Sequence, residues 1–318
     1  MPSPLLHRDQ VPTDSPLVSA LLAEQHPQLA GCAVVPVTSS GTDHDVYRLP
    51  GAGGAGGPDG PGLAVRLPKI AWAEGQAALE ARWLPSLAAR LPLAVPRVVA
   101  AGRPGCGYPF AWSVVTWLPG RQADPALDDG ERTATDLARL VRALRELPPA
   151  LSRLGGPPVR EAGRRGGPLE ALDEQVRTAV SELGDRVHAR AVLRCWDRAR
   201  EAAPHAGPPV WAHGDLLPGN LLVGGDGAAA GGALSGVIDW GSLGLADPAV
   251  DLLPAWNLLT GAARARFRDE LGVDDDAWER GRGTAVHQAV QALPYYWDTN
   301  PPMVAQALRA LAGAVHDS

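Results

Sequence analysis

WAHGDLLPGNLLV, Trp211 to Val223, followed by VIDWG, Val237 to Gly241, decides the reading of this chain. His213, Asp215 and Asn220 are polar residues set among apolar ones. The Pro218-Gly219 pair forces a turn between Asp215 and Asn220. Leu221 to Val223 then reads as a short strand. A Gly-rich tip, GGDGAAAGG, separates it from a second apolar strand that runs into Asp239. The pattern predicts a β-hairpin. Its register would bring Asn220, at the start of the first strand, beside Asp239, at the end of the second.

An amide oxygen beside a carboxylate is hard oxygen ligation of the kind that Mg²⁺ accepts together with phosphate oxygens. An Asp that orients or deprotonates a hydroxyl, near an Asn and a second Asp that hold metal on phosphates, is the apparatus of phosphoryl transfer. The spacing H-x-D-x-x-x-x-N followed by I-D resembles the aminoglycoside phosphotransferase family. The resemblance implies a protein-kinase-like fold, ATP or GTP as phosphoryl donor, Mg²⁺, and a small-molecule hydroxyl as acceptor. It makes Asp215 the catalytic residue, His213 a buried support of its loop, and Asn220 and Asp239 the metal ligands. Two departures from the protein-kinase pattern stand out, Gly214 after the His and Trp240 after the Asp. The first resembles small-molecule kinases; the second removes the Phe that acts as a switch in protein kinases.

Working outward, Leu63-Ala64-Val65-Arg66 resembles the strand V-A-I-K, whose lysine binds nucleotide phosphates. Strand alternation puts Ala64 and Arg66 on one face and Leu63, Val65 and Leu67 on the other. Ala64 would lie against a base and Arg66 would reach phosphate. Lys69 is the only lysine among 29 Lys plus Arg. It is the rival cation, but it lies beyond Pro68 and off the strand. In kinases the strand cation pairs with a helix Glu, and the resemblance points to Glu80. The loop Ser39 to Asp45, with Ser40, Gly41 and Thr42, would offer backbone N–H groups to phosphate. Ser113 to Leu118 would be the hinge, with backbone groups of Thr116 and Trp117 meeting the base.

The 318 residues suffice for two lobes, each with its own core. From about Ala33 to Trp117 the pattern is strand-rich, with strands at Ala33 to Val37, Val46 to Leu49, Leu63 to Leu67 and Ser113 to Leu118, and a helix from Trp72 to Leu91. The run Gly51 to Gly62 reads as a hairpin tip. After Gly120 the chain is mostly helical, with amphipathic stretches at Glu131 to Leu147 and Leu169 to Ala203. The expected fold class is α+β: a bilobal, protein-kinase-like chain with a β-rich amino-terminal lobe over residues 1–118 and a mostly helical lobe over 119–318. Asp247 and Asp251, in A-D-P-A-V-D-L, read as structural, the first as a helix N-cap.

Composition narrows the function classes. A net charge of −6 disfavours a nucleic-acid partner. No apolar run approaches the length of a membrane span, and MPSPLLHRDQ has no signal-peptide pattern, so no membrane partner is expected and the setting is cytoplasmic. Cys32, Cys106 and Cys195 match no zinc spacing. The chain is expected to be a monomer or weak dimer. The acceptor region is less legible. Asp274, Asp275, Glu279 and Asp298 could hold the ammonium groups of an aminoglycoside and Tyr296 could stack on a macrolide, or they could be surface acids and core aromatics. The expected activity is phosphorylation of an aminoglycoside or other antibiotic. The alternatives are a metabolic small-alcohol kinase on the same fold and a nucleotide-binding pseudokinase.

Overall fold

The computed structural model describes residues 6–38, 41–52, 62–149, 165–224 and 232–316. The chain divides into two compact units, one of Met1–Ala89 with Ala94–Pro119, the other of Arg90–Leu93 with Gly120–Ser318.

The first unit opens with a helix, α1 (Ser15–Gln25), which precedes the strand-rich stretch and is not among the expected elements. Asp14 caps it by accepting from the Leu17 N–H at 2.8 Å, and Pro16 lies in its first turn. Five strands follow, β1 (Val35–Pro36), β2 (His44–Leu49), β3 (Leu63–Pro68), β4 (Val98–Gly102) and β5 (Trp112–Thr116), with α2 (Gln76–Ala88) between β3 and β4. They form one antiparallel sheet in the order β1-β2-β3-β5-β4. Tyr47, Leu49, Leu63, Val65, Leu67 and Val114 turn one sheet face into a core shared with Val18, Leu21 and Leu22 of α1. Each such side chain taken from water contributes about 1.5–3 kcal/mol. The residues between, Val46, Arg48, Ala64 and Arg66, have cross-strand partners in register on the opposite face, Val46 with Arg66 and Arg48 with Ala64.

Three boundaries differ from expectation. β1 is two residues long, although the Val37 N–H still donates to the Val46 carbonyl at 2.9 Å. α2 begins at Gln76, after a 3-10 turn at Ala71–Ala73, and buries Glu80, Trp83, Leu84 and Leu87. β4 is not among the expected strands; it packs so close to Trp112 that a Cβ on Gly102 would lie 1.9 Å from the indole.

The second unit contains β6 (Arg121–Gln122), α3 (Glu131–Arg145), α4 (Asp173–Leu183), α5 (Ala189–Glu201), β7 (Val210–Ala212), β8 (Leu221–Val223), β9 (Leu234–Val237), β10 (Gly244–Ala246), α6 (Pro254–Asn257), α7 (Gly261–Leu271), α8 (Asp275–Tyr296) and α9 (Pro301–His316). The amphipathic stretch Leu169 to Ala203 is two helices, broken by a turn at Gly184–Arg186. β6, β8 and β9 form one small antiparallel sheet, and β7 pairs with β10. These strands place loops: β7 ends just before His213, and the β8–β9 hairpin carries Asn220 and Asp239 at its base. Among the described residues no helix is long and apolar enough to cross a membrane.

Candidate active site

The hairpin register pairs Leu221 with Val237, and the Ile238 N–H donates to the Asn220 carbonyl at 2.9 Å. Asn220 and Asp239 therefore sit next to each other, as the sequence pattern predicts. The Asn220 side-chain amide turns back to Asp215, donating to its carbonyl at 2.9 Å and to its Oδ2 at 3.2 Å. A 3-10 turn at Pro218–Asn220 makes this return possible. Asn220 thus links Asp215, on the same loop, to the chain at Asp239, beyond the far strand of the hairpin.

His213 ties the cluster to the fold. Its Nδ1 accepts from the Asp215 N–H at 3.2 Å, so Nε2 carries the proton and donates to the Ile238 carbonyl at 3.1 Å. The ring lies 4.5 Å from the Trp240 ring and is fully buried. One imidazole thereby links the loop before Asp215 to the residue before Asp239. Gly214 has φ +79°, a conformation glycine adopts without strain. Beneath it, buried Asp251 accepts from the His213 N–H at 2.9 Å and the Gly214 N–H at 2.7 Å. Burial pushes the Asp251 carboxyl up, against the opposing pull of His213, those two N–H groups and Arg145. Holding a carboxylate there costs solvation, and what it secures is the backbone of the Asp215 loop. Asp247, as expected, is an N-cap, accepting from the Ala249 N–H at 2.9 Å.

Asp239 itself has φ +61°, which for a residue with a Cβ costs on the order of 1–2 kcal/mol. Trp240 anchors the turn: it is fully buried and donates to the Val237 carbonyl at 3.1 Å. Among the described residues no group of three or more His, Cys, Asp or Glu gathers as a dedicated metal cage. An Asn–Asp pair nevertheless fits Mg²⁺, which binds through one or two carboxylates plus substrate phosphates and keeps several waters.

One member of the site has no signal in the sequence. Arg165 forms an ion pair with Oδ1 of Asp215, and the same nitrogen donates to the Gly214 carbonyl at 3.3 Å. It lies 50 positions before Asp215 in an Arg- and Gly-rich run with no periodicity, so nothing in the spacing marks it.

In the first unit, Arg66 pairs with buried Glu80. Lys69 is also buried and is engaged elsewhere: its Nζ donates to the Gly41 carbonyl at 3.1 Å and lies 3.5 Å from Asp45. Lys69 thus braces the loop, while Arg66 lies on the sheet face with Ala64. Burial, and then the charges of Arg66 and Lys69, push the imidazole of His44 well below its usual range. Thr42 turns its hydroxyl to Asp43 at 2.7 Å, and its carbonyl meets His7 at 2.8 Å. Ser40 lies outside the described residues. At the expected hinge the Thr116 N–H donates to the Arg97 carbonyl at 2.9 Å and the Trp117 N–H to the Gly62 carbonyl at 3.1 Å. Those two donors are spent on neighbouring backbone and are not offered to a base.

The acceptor residues do not gather. Asp274 caps α8 by accepting from Ala277 at 2.7 Å, and Asp275 pairs with Arg268. Glu279 lies between Arg198 at 3.2 Å and Arg282 at 3.3 Å. Tyr296 packs against Tyr295 at the far end of the same helix, with Asp298 exposed just beyond. A 22-residue helix is roughly 33 Å long, so its two ends cannot share one small ligand. The second unit also holds a cavity of about 270 Å³, lined by Leu169, Asp247, Val250, Arg280 and Thr284 among others, but not by Asp215, Asn220 or Asp239.

Residues 35–284 match the model of the phosphotransferase enzyme family. The chain is 26% identical over 172 residues to an aminoglycoside 3'-phosphotransferase of Escherichia coli, covering 52% of this chain and 60% of that protein. It is 26% identical over 177 residues to one of Salmonella typhimurium, with the same 52% and 60% coverage. The chain therefore matches less than two thirds of the length of these relatives. Among solved structures, the GDP and kanamycin complex of APH(2")-IIia aligns with a TM-score of 0.67 and 17% identity, over 95% of this chain and 99% of that one. A macrolide 2'-phosphotransferase type I aligns at 0.61 and 19% identity, over 97% and 98%. At these identities the likeness is one of fold, and the expected kinase-like class is borne out.

Proposed function

Because this chain belongs to the phosphotransferase enzyme family, we propose that it moves the γ-phosphoryl group of ATP or GTP to a hydroxyl of a small molecule, an aminoglycoside or other antibiotic. The observation that carries this reading is the convergence of Asp215, Asn220 and Asp239 on one hairpin, tied together by His213. The relatives named above as aminoglycoside phosphotransferases, and the one structure with GDP and kanamycin, support the donor and acceptor classes.

Asp215 accepts a hydrogen bond from the acceptor hydroxyl and aims its oxygen at the γ-phosphorus. Its carboxylate has about four lone-pair sites, so contacts to Asn220 and Arg165 leave room for the hydroxyl. As the new O–P bond forms, the hydroxyl proton passes to Asp215. A positioned base of this kind contributes about 10²–10⁴-fold in rate. His213 and Asp251 keep the loop fixed, so little reorganisation accompanies the reaction. Asn220 and Asp239 would hold Mg²⁺, which when bound neutralises charge on the nucleotide phosphates. In the first unit Arg66, held by Glu80, is the cation for phosphate, and its planar fork suits two phosphate oxygens.

Asp239→Ala is the test. Calorimetric titration should show Mg²⁺-dependent nucleotide binding in the parent and its loss in the variant, with turnover abolished. If the variant binds Mg-nucleotide as the parent does, Asp239 is not the metal ligand.

A further inference from the structure

The Asp215 loop has a charge problem that its own sequence does not solve. Between Trp211 and Val223 there is no Lys or Arg. In the reaction proposed above, the carboxylate of Asp215 stands one hydroxyl away from a phosphoryl group that carries its charge on three equatorial oxygens. Two anions face each other across the attacking oxygen, and Asn220 is neutral. The cation that meets this need comes from far upstream. Arg165 places one guanidinium nitrogen on Oδ1 of Asp215 and on the Gly214 carbonyl, while Oδ2 is held by Asn220. Both partners are partly open, with side-chain exposures of 27% for Arg165 and 22% for Asp215.

We propose that Arg165 is a catalytic residue that bridges Asp215 and the transferring phosphoryl group. This rests on the phosphotransferase reading. Guanidinium presents five donors in a rigid fork, and among the described residues one nitrogen of Arg165 carries all of its hydrogen bonds. A hydroxyl bonded to Asp215 and poised for attack lies about 3–3.5 Å from phosphorus. A guanidinium on that same carboxylate therefore has its remaining N–H groups within reach of an equatorial phosphoryl oxygen. In the step itself the acceptor oxygen forms a bond to the γ-phosphorus. The bond to the bridging oxygen breaks, and the nucleoside diphosphate departs with that electron pair. The hydroxyl proton goes to Asp215. Arg165 keeps its protons throughout and offsets charge on the planar phosphoryl group, where such arginines contribute about 10³–10⁵-fold.

Aluminium fluoride with Mg-ADP or Mg-GDP mimics the planar phosphoryl group and needs neither an acceptor nor a proton transfer. The experiment measures diphosphate affinity of the full chain with and without aluminium fluoride, for the parent, Arg165→Ala and Arg165→Lys. The parent should bind more tightly by at least about 10²-fold with the fluoride present, as transition-state analogues do. Arg165→Ala should lose at least about tenfold of that gain while binding Mg-diphosphate alone within about threefold of the parent. Arg165→Lys, which keeps charge without the fork, should fall between them. An Arg165→Ala variant that keeps the full fluoride gain overturns the assignment and leaves Arg165 a positioning partner of Asp215. A parent that binds neither diphosphate overturns the phosphotransferase reading itself, a distinct outcome.

Discussion

Asp215 and Asn220 lie on one loop and Asp239 beyond the far strand of a hairpin, whereas Asp274, Asp275 and Glu279 lie within two turns of the start of one helix; the first set is brought together and the second is not. The first set is constrained by a hairpin register, a proline-glycine turn and a buried histidine, each of which fixes direction as well as position. The second set is constrained only by helical geometry, and each acid is satisfied locally, by a cap, by an exposed ion pair or by a bridge between two arginines. Acidity in a sequence therefore points to a site only where the backbone is forced to bring it inward.

The sharpest way to break the convergent set without touching its polar residues is Asp251→Ala. It strips the acceptor from two buried N–H groups, those of His213 and Gly214. An orphaned buried donor costs about 1–3 kcal/mol, so denaturant unfolding should show a loss of roughly 2–5 kcal/mol, with kcat falling alongside. Stability and kcat both within error of the parent would mean that the loop holds itself.

Asp274→Ala probes the other set and should do far less. Losing an N-cap costs about 1 kcal/mol of stability, and nucleotide and acceptor kinetics should stay within about twofold of the parent. A tenfold rise in acceptor KM would return the start of α8 to the acceptor site.

Legibility in the sequence follows the same division. The hairpin and the alternation of β3 are readable, because short-range rules of register determine them, whereas the Arg66–Glu80 pairing is implied by the family resemblance. α1 lies outside the stretch whose pattern is decisive, although Asp14 as N-cap and Pro16 in the first turn mark its start. β4 is less marked because Val98-Val99 is followed by Ala, Ala and Gly, directly after a proline-rich break, and its place in the sheet depends on Trp112 packing against Gly102. Lys69 reads by its position as the rival to Arg66 for phosphate, but its contacts under the loop depend on Asp45 and Gly41, which the strand pattern does not link to it. The hinge donors are illegible for a similar reason: whether an N–H is free depends on Arg97 and Gly62, not on the hinge residues themselves. Arg165 is the extreme case, a long-range contact from a run without pattern.

The convergence of the hairpin residues matters only if Asp215 acts on the attacking hydroxyl, and Asp215→Asn tests that most directly. The substitution keeps the shape and removes the charge and the proton acceptor. With an acceptor identified from an antibiotic panel in the presence of Mg²⁺, kcat should fall by at least about 10²-fold. Mg-nucleotide affinity should change by less than about tenfold. Retention of more than about a tenth of parental kcat, with chemistry shown to limit the rate, would contradict the assignment of Asp215 as the catalytic base.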